Sequence, residues 1–385
     1  MKILYSAIDQ PVPGTKGGSI HVRSVAEGLA ALGHDVTALI AGGPSADALH
    51  DSPVRWIALP PPFRATHLRL ARASRIARLV EDLRPDVVME RYHNFGGEAL
   101  IAARKVSAVG VLEVNAPVID HAGSRKARLD RALIVEPMRR WREHLVRLAD
   151  VIVSPSAEIL PADTPRNRIC VLEWGADTDR FRPGIPAAPP YQRPPVDLLA
   201  VFAGAFRRWH GAVHLVRAVR DLHGGGDATI GAVLIGDGPE LAAARAEAAG
   251  LDAIVFTGAL PHSQMPAALA AADVGVAPFD PSRHAALSLG FYWSPLKMFE
   301  YMAAGLPVVA PAVGRLPSLV QDGVEGILYD PGEPDSLARS LAKLRDGDLR
   351  SRLGAAARMR AVRDYSWLAH CRALDNAFRG ARRTA

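Results

Sequence analysis

The sequence predicts an α/β protein built from two doubly wound, Rossmann-like domains that face each other across a cleft. Strand and helix signals alternate from the start, with the strand KILYSAI, a glycine-rich loop, the helical pattern SIHVRSVAEGLAALG and the strand HDVTALIAG. A second series of the same kind begins at DLLAVFAGAF, after a proline-dense stretch that lacks periodicity. Such alternation is typical of βαβ units around a parallel sheet, whose ligands bind beyond the carboxyl ends of the strands.

The domain boundary is expected in the proline-dense stretch at 183–196, because proline-rich segments without periodicity are typical of linkers. We therefore assign residues 1–185 to an N-terminal domain and residues 186–366 to a C-terminal domain. The last helix, at about 367–385, is expected to pack back on the N-terminal domain.

The composition is that of an ordinary globular protein, with 49% hydrophobic and 22% charged residues in a chain of 385. No apolar stretch approaches the roughly 18 residues of a membrane span, and MKILY begins a strand rather than a signal peptide. Cys170 and Cys371 have no partners at metal-ligand spacing, which predicts free thiols in a reducing compartment. We expect a cytoplasmic protein.

Basic residues are concentrated between positions 121 and 150. They are Arg125, Lys126, Arg128, Arg131, Arg139, Arg140, Arg142 and Arg147. The pattern fits a solvated helical face, or an amphipathic surface that makes weak peripheral contact with an anionic membrane at its inner face. Nucleic-acid binding is disfavoured, because we find neither interleaved exposed aromatic residues nor a recognisable module.

The stretch SPLKMFEYMAAGLPVVAP contains two charged residues in an otherwise apolar run. Ser294 is predicted as a helix N-cap with Pro295 at the first helical position. Lys297 then falls in the first turn, where the helix dipole is positive and an anion such as phosphate would favour a lysine. Glu300 lies on the same face and could accept hydrogen bonds from the hydroxyls of a ribose. The alternative is an exposed i,i+3 ion pair between the two.

Glycine-bearing loops join the first strand of each half to its first helix. In TKGGS, Gly17 and Gly18 would let backbone N–H groups approach a phosphate at a helix N-terminus, or would simply form a tight turn. In FAGAFRRWHG, Gly204 is followed by Arg207 and His210, which could both point at an anion. Arg207 is alternatively an ordinary surface arginine.

Other loops of the second half add weaker candidates. Gly236 lies in the turn LIGDGPE, and Phe256 and Thr257 end the strand IVFTG, where a nucleotide base could stack unless Phe256 belongs to the core. The pair Asp177 and Asp179 could hold a divalent metal on a diphosphate, but its position beside the linker favours a hinge or turn. No His/Cys cluster suggests another metal site, so no metal is expected.

With these motifs in place, the chain resembles a retaining glycosyltransferase of family four, with the two-domain GT-B architecture. The resemblance extends from Lys2 to the C-terminal helix around Trp367 and is carried by GGSIHVRSVAEGLAALGHDV, EWGADTDRFRP, LIGDGPE, FTGALPHSQMPAALAAADVGVAPF and SPLKMFEYMAAGLPVVAP. It implies an acceptor-binding N-terminal domain and a C-terminal domain that binds a nucleotide-sugar donor. The implied donor-binding residues are Gly17, Gly18, Gly204, Gly236, Phe256, Thr257, Tyr292, Ser294, Pro295, Leu296 and Glu300.

The resemblance also assigns roles within this set. Glu300 is expected to bind the donor ribose, and N–H groups near residues 295–298 are expected to meet the diphosphate. Gly17 and Gly18 would close on that diphosphate from the other domain. Tyr292 stands where the family commonly has a glutamate, so a carboxylate contact to the transferred sugar is absent or supplied elsewhere.

Three further positions depart from the family pattern. Ala205 and His210 replace a usual arginine and a usual lysine, and Arg207 and Lys297 are the expected substitutes for the missing charges. Asn115 stands where a histidine often faces the donor sugar, and asparagine can donate a hydrogen bond but cannot titrate. The expected catalytic residues are Arg207, His210, Lys297 and Asn115.

Acceptor-site candidates lie at neighbouring strand ends of the N-terminal half. They are Glu90, Arg91, His93 and Glu113. The expected reaction is transfer of a hexosyl group from a nucleotide-diphosphate sugar, with UDP as the expected nucleotide, to a hydroxyl of a small-molecule or glycan acceptor. Retention by a front-face route would need no protein nucleophile. No cofactor and no metal are expected, and charge on the leaving phosphate is what the site must stabilise.

Two kinds of rival function stay open at this point. Nucleotide-sugar epimerases and sugar phosphorylases share the architecture, but they need acid/base carboxylates near the sugar or a cofactor lysine, and neither is apparent in the sequence. A non-catalytic nucleotide-sugar-binding protein is favoured only by the departures at Tyr292 and Asn115. The base, the sugar and the acceptor are likewise left open by these residues.

Overall fold

The computed structural model describes residues 1–14, 16–42, 49–60, 70–94, 96–121, 124–133 and 135–382. Thr15, in the first glycine-bearing loop, lies outside the described residues. The chain divides into two compact units. Unit 1 comprises Met1–Gly175, Tyr292–Ser294 and Trp367–Ala385, and unit 2 comprises Ala176–Phe291 and Pro295–Ser366.

Unit 1 is organised around a seven-stranded sheet. Its strands are β1 (Lys2–Ala7), β2 (Asp35–Ile40), β3 (Arg55–Ala58), β4 (Val87–Arg91), β5 (Val109–Glu113), β6 (Val151–Ser154) and β7 (Ile169–Val171). Every pairing is parallel and the strand order is β3-β2-β1-β4-β5-β6-β7. All residues of β4 and β5 are buried, as expected for parallel strands covered on both faces.

The helices of unit 1 alternate with these strands. They are α1 (Gly17–Ala31), α2 (Leu70–Leu83), α3 (Glu98–Lys105), α4 (Arg125–Ala132), α5 (Pro137–Leu148) and, at the C-terminal end, α13 (Trp367–Arg382). Helix α13 packs against α1, where a Cβ at Gly28 would lie 2.6 Å from the Cys371 sulfur. The C-terminal helix is therefore part of unit 1.

Unit 2 repeats the architecture with a six-stranded parallel sheet. Its strands are β8 (Leu198–Ala203), β9 (Ile230–Ile235), β10 (Ile254–Gly258), β11 (Val274–Val276), β12 (Val308–Pro311) and β13 (Gly326–Tyr329), in the order β10-β9-β8-β11-β12-β13. Its helices are α6 (Ala212–Gly224), α7 (Leu241–Glu247), α8 (Met265–Ala270), α9 (Leu296–Ala303), α10 (Leu316–Leu319), α11 (Ser336–Lys343) and α12 (Gly347–Asp364). The prediction of two doubly wound, Rossmann-like domains is confirmed.

Each sheet has a point where the direction of strand addition reverses. In unit 1 this point lies between β1 and β4, and in unit 2 it lies between β8 and β11. Loops that leave the carboxyl ends of two such strands diverge, which opens a crevice for ligands. We therefore expect the ligand site of unit 2 among the residues that follow β8 and β11.

The proline-dense stretch at 183–196 belongs to unit 2, and the chain changes unit before it, after Gly175. Side chains of the stretch are tied to unit 2: the Tyr191 hydroxyl donates to the Ala268 carbonyl (2.9 Å), and Arg193 pairs with Asp273 (2.9 Å). In the described part of the chain, none of the helices combines the length and the hydropathy of a membrane-spanning segment.

Candidate functional site

Two glycines shape the crevice of unit 2 because their backbones approach each other closely. Gly204 follows β8 with φ 143°, and Gly236 follows β9 with φ 137°. A Cβ at Gly236 would lie 1.9 Å from the Gly204 carbonyl oxygen, so a side chain there is excluded. The backbones of the two predicted glycines are thus in close contact at the carboxyl edge of the sheet. We call this contact the glycine junction.

The Lys297 ammonium lies beside this junction. Its Nζ is 4.2 Å from the ring centroid of Phe202 in β8 and 5.2 Å from that of Phe279 after β11. A Cβ at Gly204 would lie 2.8 Å from the same nitrogen. The Lys297 stem is half-buried, but Nζ itself is buried and has no hydrogen-bond partner among the residues that the structure describes.

A buried ammonium in contact with aromatic rings is electrostatically unusual. Burial lowers the pKa of Lys297 to about 7, although the negative charge of Glu300 opposes the shift. The rings of Phe202 and Phe279 supply a cation–π attraction but no hydrogen-bond acceptor. The ammonium therefore lacks a hydrogen-bond acceptor among the described residues, and an anion is the kind of group that would supply one.

Helix α9 brings Lys297 to this place, and its start differs from the prediction. The N-cap is Pro295 and makes no side-chain cap bond. Ser294 belongs to unit 1, where its hydroxyl accepts from the Trp174 backbone N–H (2.7 Å) and donates to Glu173 (2.8 Å). The predicted N-cap role of Ser294 is thus wrong, because its hydroxyl is already engaged with partners far away in the sequence.

The first turn of α9 is consequently free of a side-chain cap, and it contains Leu296 and Lys297. The first N–H groups of a helix need an acceptor, and the helix dipole favours a negative one. The helix is anchored to β8, because the Ala203 backbone N–H donates to the hydroxyl of Tyr301 (2.7 Å). Its position relative to the Gly204 loop is therefore fixed by a buried hydrogen bond.

His210 is placed in the same crevice but in a neutral form. Its Nδ1 lies 2.5 Å from the Ala205 carbonyl oxygen, so this nitrogen carries the proton. Burial, and next the positive charge of Lys297, lower the pKa of His210 far below the ordinary value. His210 therefore orders the loop that leads to α6 and contributes no positive charge to the crevice.

Arg207 lies on the same loop and is exposed. It lines a cavity of about 320 Å³ together with Gly211, Glu240 and Arg283. Its guanidinium makes no ion pair with any residue in the described part of the chain. Arg207 is therefore available to an anionic ligand without having to break an internal contact.

Glu300 is oriented by a residue that the sequence analysis did not single out. The carboxylate is buried, and the His262 Nε2 lies 2.9 Å from Glu300 Oε1. The His262 ring packs against Phe181, with 5.5 Å between centroids. The alternative interpretation, an i,i+3 ion pair with Lys297, does not agree with the structure, because the Glu300 carboxylate pairs with His262. The second carboxylate oxygen accepts no hydrogen bond from a described residue.

Three other residues that were predicted to bind the donor, Phe256, Thr257 and Tyr292, are packed or hydrogen-bonded within the protein. Phe256 packs against the core of unit 2, 6.4 Å from the Phe206 ring, and Thr257 donates its hydroxyl proton to the Gly258 carbonyl (2.7 Å). Of the two interpretations of Phe256, core packing agrees with the structure. Tyr292 lies in unit 1, where burial raises its pKa to about 12.

In unit 1, Glu113 is the centre of a buried network rather than a free carboxylate. It accepts hydrogen bonds from the Tyr5 hydroxyl (2.7 Å) and from His21, and Arg91 lies 3.5 Å away. Burial raises the pKa of Glu113, but His21, Arg91 and Tyr5 together hold it well below the usual range. Glu113 and Arg91 thus fasten β1, β4, β5 and α1 together.

Glu90 also has an internal role. Its two oxygens accept from the backbone N–H groups of Gly97 (2.6 Å) and Leu100 (2.7 Å), so it caps the N-terminus of α3. Burial and the neighbouring Glu98 raise its pKa. His93 is half-buried, and its Nδ1 approaches the Arg91 carbonyl (3.3 Å). Of the four predicted acceptor residues, His93 is the least committed to internal contacts.

Asn115 is oriented by Trp174, a residue that the sequence analysis overlooked. The Trp174 Nε1 donates to Asn115 Oδ1 (2.8 Å), and an indole N–H can only donate. The oxygen of the amide must therefore face the indole, and the NH₂ group must face away from it. That nitrogen is buried and has no partner among the described residues.

The indole of Trp174 is itself held on several sides. Its ring stacks on His21 with 4.4 Å between centroids, and the Arg91 guanidinium lies 5.9 Å from the ring centroid. The backbone N–H of Trp174 donates to Ser294. Its position in EWGADTDRFRP, next to a predicted turn, was the available signal for a functional role.

The two remaining predictions concern the first glycine loop and the Asp-x-Asp pair. Gly17 is the first residue of α1, whose N-terminus has no side-chain cap, and a Cβ at Gly18 would lie 2.3 Å from the flexible end of Gln10. Asp177 accepts from the backbone N–H groups of Asp179 (3.3 Å) and Arg180 (3.0 Å), which is a turn. No group of potential metal ligands occurs among the described residues.

Comparisons with known proteins identify the family to which this chain belongs. Residues 15–180 match the model of Glycosyltransferase Family 4, and residues 197–346 match the model of Glycosyl transferases group 1. Together these matches include most of both units. The resemblance to the family 4 glycosyltransferases, which the motifs indicate, is confirmed.

Among curated relatives, the sulfoquinovosyl transferase SQD2 of Arabidopsis thaliana is 28% identical over 325 residues, covering 80% of this chain and 59% of the relative. A D-inositol 3-phosphate glycosyltransferase of Corynebacterium aurimucosum is 28% identical over 271 residues, covering 66% of this chain and 62% of the relative. The chain thus spans about three fifths of the length of these relatives.

Solved structures share the fold over the whole chain at low sequence identity. A glycosyltransferase of Rickettsia africae superposes with a TM-score of 0.72 at 16% identity, covering 100% of this chain and 99% of that chain. Alr3699/HepE of Anabaena, solved in complex with UDP and glucose, has a TM-score of 0.68 at 18% identity, covering 99% and 100%. From its two family matches and its two parallel-sheet units, the chain belongs to the family 4 glycosyltransferases of the GT-B fold.

Proposed function

We propose that this protein transfers a hexosyl group from a nucleotide-diphosphate sugar, with UDP as the nucleotide, to a hydroxyl of a small-molecule or glycan acceptor, with retention of configuration. The observation that carries the proposal is the buried Lys297 ammonium, which lies without a partner among the described residues at the switch point of unit 2. A diphosphate would supply the missing acceptor. The same anion suits the uncapped first turn of α9.

The departure of the nucleoside diphosphate is the step that these residues assist. Negative charge grows on the leaving phosphate as the bond to the sugar breaks, and Lys297 and the N–H groups at the start of α9 are placed to stabilise it. The exposed guanidinium of Arg207 can add a second charge. His210, held neutral, keeps the Gly204 loop in position.

Glu300 is proposed to bind the ribose of the donor. His262 fixes one oxygen of its carboxylate, which leaves the other to accept hydrogen bonds from vicinal hydroxyls. UDP is proposed because Alr3699/HepE, which shares the fold, was solved with UDP and with UDP-glucose. The free thiols Cys170 and Cys371 suit a reducing, cytoplasmic compartment.

Retention by a front-face route is proposed because the predicted carboxylates of unit 1 are engaged elsewhere. Glu113 is locked with His21, Arg91 and Tyr5, and Glu90 caps α3. Neither is free to act as a nucleophile or as the acid/base pair that an epimerase needs. No metal or cofactor is invoked in this mechanism.

Thermal-shift titration with a panel of nucleoside diphosphates and their sugars tests the donor, and turnover with the best donor and an acceptor panel tests the reaction. We expect the largest shift with UDP or a UDP-sugar, and UDP release that requires an acceptor. NMR of the product should show the anomeric configuration of the donor. Conversion of the donor sugar without an acceptor would instead identify an epimerase, and binding without turnover would identify a non-catalytic protein.

Replacing Trp174 with phenylalanine should lower kcat about tenfold, because the amide of Asn115 loses the N–H group that fixes its orientation. Phenylalanine preserves the stacking on His21, so the fold should persist. The loss should vanish in the Asn115→Ala background, since Trp174 acts through that amide. Trp141→Phe is the matched control, because it removes another indole hydrogen bond of unit 1 (to Gly96, 3.1 Å). Additive losses in the double variant would show that Trp174 acts by another route.

A further inference from the structure

A strongly exposed surface on α4, the turn after it and the start of α5 combines aliphatic and basic side chains. We call it the basic-aliphatic surface. It consists of Arg125, Arg128, Leu129, Arg131, Leu133, Val135 and Arg140, all of which are exposed. It lies entirely within unit 1 and includes none of the residues assigned above to the donor or the acceptor.

Its three aliphatic side chains are more than half exposed. The exposed fractions are 53% for Leu129, 54% for Leu133 and 56% for Val135. Leu129 lies in α4 and Leu133 is the C-cap of that helix. Because the two are spaced i,i+4, they lie on one side of it, in line with Arg125. Single exposed aliphatic residues are ordinary, but three within one short segment form an apolar patch that favours contact with another apolar phase.

The acidic side chains of this segment are turned away or neutralised. Asp130 is buried and accepts from the backbone N–H groups of Met138 and Arg139, both at 2.9 Å. Glu136 and Glu143 both pair with Arg139, at 3.4 and 2.8 Å. The acids therefore contribute little negative charge to the surface around Leu129.

Four arginines of the surface keep their charge without such partners. No ion pair to a described residue involves Arg125, Arg128, Arg131 or Arg140. Arg131 makes only a hydrogen bond to the Ala127 carbonyl (3.2 Å). Arg125 lies in line with Leu129 on α4, and the other three arginines belong to the same exposed segment. The surface therefore combines exposed aliphatic side chains with positive charge.

We propose that the basic-aliphatic surface binds an anionic lipid bilayer, with Leu129, Leu133 and Val135 entering the headgroup boundary and the arginines contacting lipid phosphates. Amphipathic segments that present aliphatic side chains between arginines bind membranes in this way. Charge complementarity selects this partner: a second copy of the same positive surface would be repelled. Nucleic acid would meet phosphate-binding arginines, but none of the seven residues that define the surface is aromatic and could stack on its bases.

This inference goes beyond the proposed function and does not depend on it, because none of the seven residues has a role in the transfer. It places unit 1, which contains the acceptor candidates, at a lipid surface. Acceptors carried by lipids would then be presented to the enzyme without leaving the bilayer.

Co-sedimentation of the full chain with vesicles of phosphatidylcholine alone and of phosphatidylcholine with 30% phosphatidylglycerol tests the proposal. We expect binding to the anionic vesicles only, with each exposed arginine contributing about fivefold to the partition at low salt. The binding should weaken strongly when salt is raised.

Two variants of the surface and one matched control complete the test. Arg125→Gln with Arg128→Gln should weaken anionic binding about 25-fold, and Leu129→Gln with Leu133→Gln should lower it on the same vesicles at every salt concentration. The control is Met359→Gln with Arg363→Gln on α12 of unit 2, where Met359 is 67% exposed. All variants change exposed side chains, so their melting temperatures should match the parent. Equal binding to neutral vesicles, absence of binding, or an equal loss in the α12 control would overturn the proposal.

Discussion

Replacing Lys297 with methionine should stabilise the empty protein while nearly abolishing catalysis. The ammonium is buried against Phe202 and Phe279 without a hydrogen-bond partner among the described residues, so an apolar side chain of similar length removes an unfavourable buried charge. The same change removes the charge that we propose stabilises the leaving diphosphate. Loss of one such group typically lowers kcat by about 10²–10³-fold.

The opposite signs of the two effects make this experiment decisive. Melting temperature without ligand, affinity for UDP and kcat are measured on the same preparation. Lys343→Met, an exposed lysine of α11 in the same unit, is the matched control and should change none of the three. A Lys297→Met protein that binds UDP as tightly as the parent would contradict the assigned diphosphate site.

The pH dependence follows from the pKa of Lys297, which burial lowers to about 7. Unfolding restores the ordinary value of roughly 10.4, so the unfolded chain binds more protons between these two values. The contribution of Lys297 therefore makes the empty protein more stable as pH rises from about 7 to about 10.

Binding of the anion reverses this shift. A diphosphate beside Lys297 favours the charged form, so nucleotide binding above pH 7 should take up a proton and weaken as pH rises. Two titratable groups interact with the Lys297 ammonium. Glu300 favours its positive charge, and His210 is neutral. Calorimetry of UDP binding at pH 8 in buffers of different ionisation enthalpy measures the uptake, which should disappear in Lys297→Met.

Replacing Glu300 with alanine should abolish the nucleotide-induced thermal shift. The carboxylate is held by His262 with one oxygen left for the donor, and loss of a charge-assisted hydrogen bond typically weakens binding by about 10–100-fold. Titration by thermal shift and by calorimetry with the nucleotide and with its sugar measures the effect.

Glu325 provides the matched control, because it is also a buried carboxylate of unit 2. It accepts from the Gln321 backbone N–H (2.7 Å) and pairs with Arg360 (3.1 Å). Glu325→Ala should lower the melting temperature of the empty protein and leave the nucleotide shift intact. If Glu300→Ala retains the full shift, the ribose of the donor is bound elsewhere.

The fold was accessible from the sequence because its signals are local. Alternating strand and helix patterns predicted both sheets, and each strand of a βαβ unit follows its neighbour closely in the chain. The glycines after β8 and β9 were predicted for the same reason, since a turn with positive φ has a recognisable residue. Lys297 was found because a lysine in the first turn of a helix conflicts with the helix dipole.

The contacts that decide the roles of other residues join distant parts of the chain. Trp174 and Asn115 are 59 positions apart, His21 and Glu113 are 92 apart, and Trp174 and Ser294 are 120 apart. No local sequence pattern predicts such pairs. For this reason Ser294 was predicted as a helix N-cap, and Glu113 was predicted as a residue that binds the acceptor. The sequence by itself determined the two-unit α/β fold and the unusual placement of a cation on α9. Only the tertiary structure decided which polar groups are left unsatisfied, because hydrogen-bond satisfaction depends on packing between segments that the sequence does not bring together.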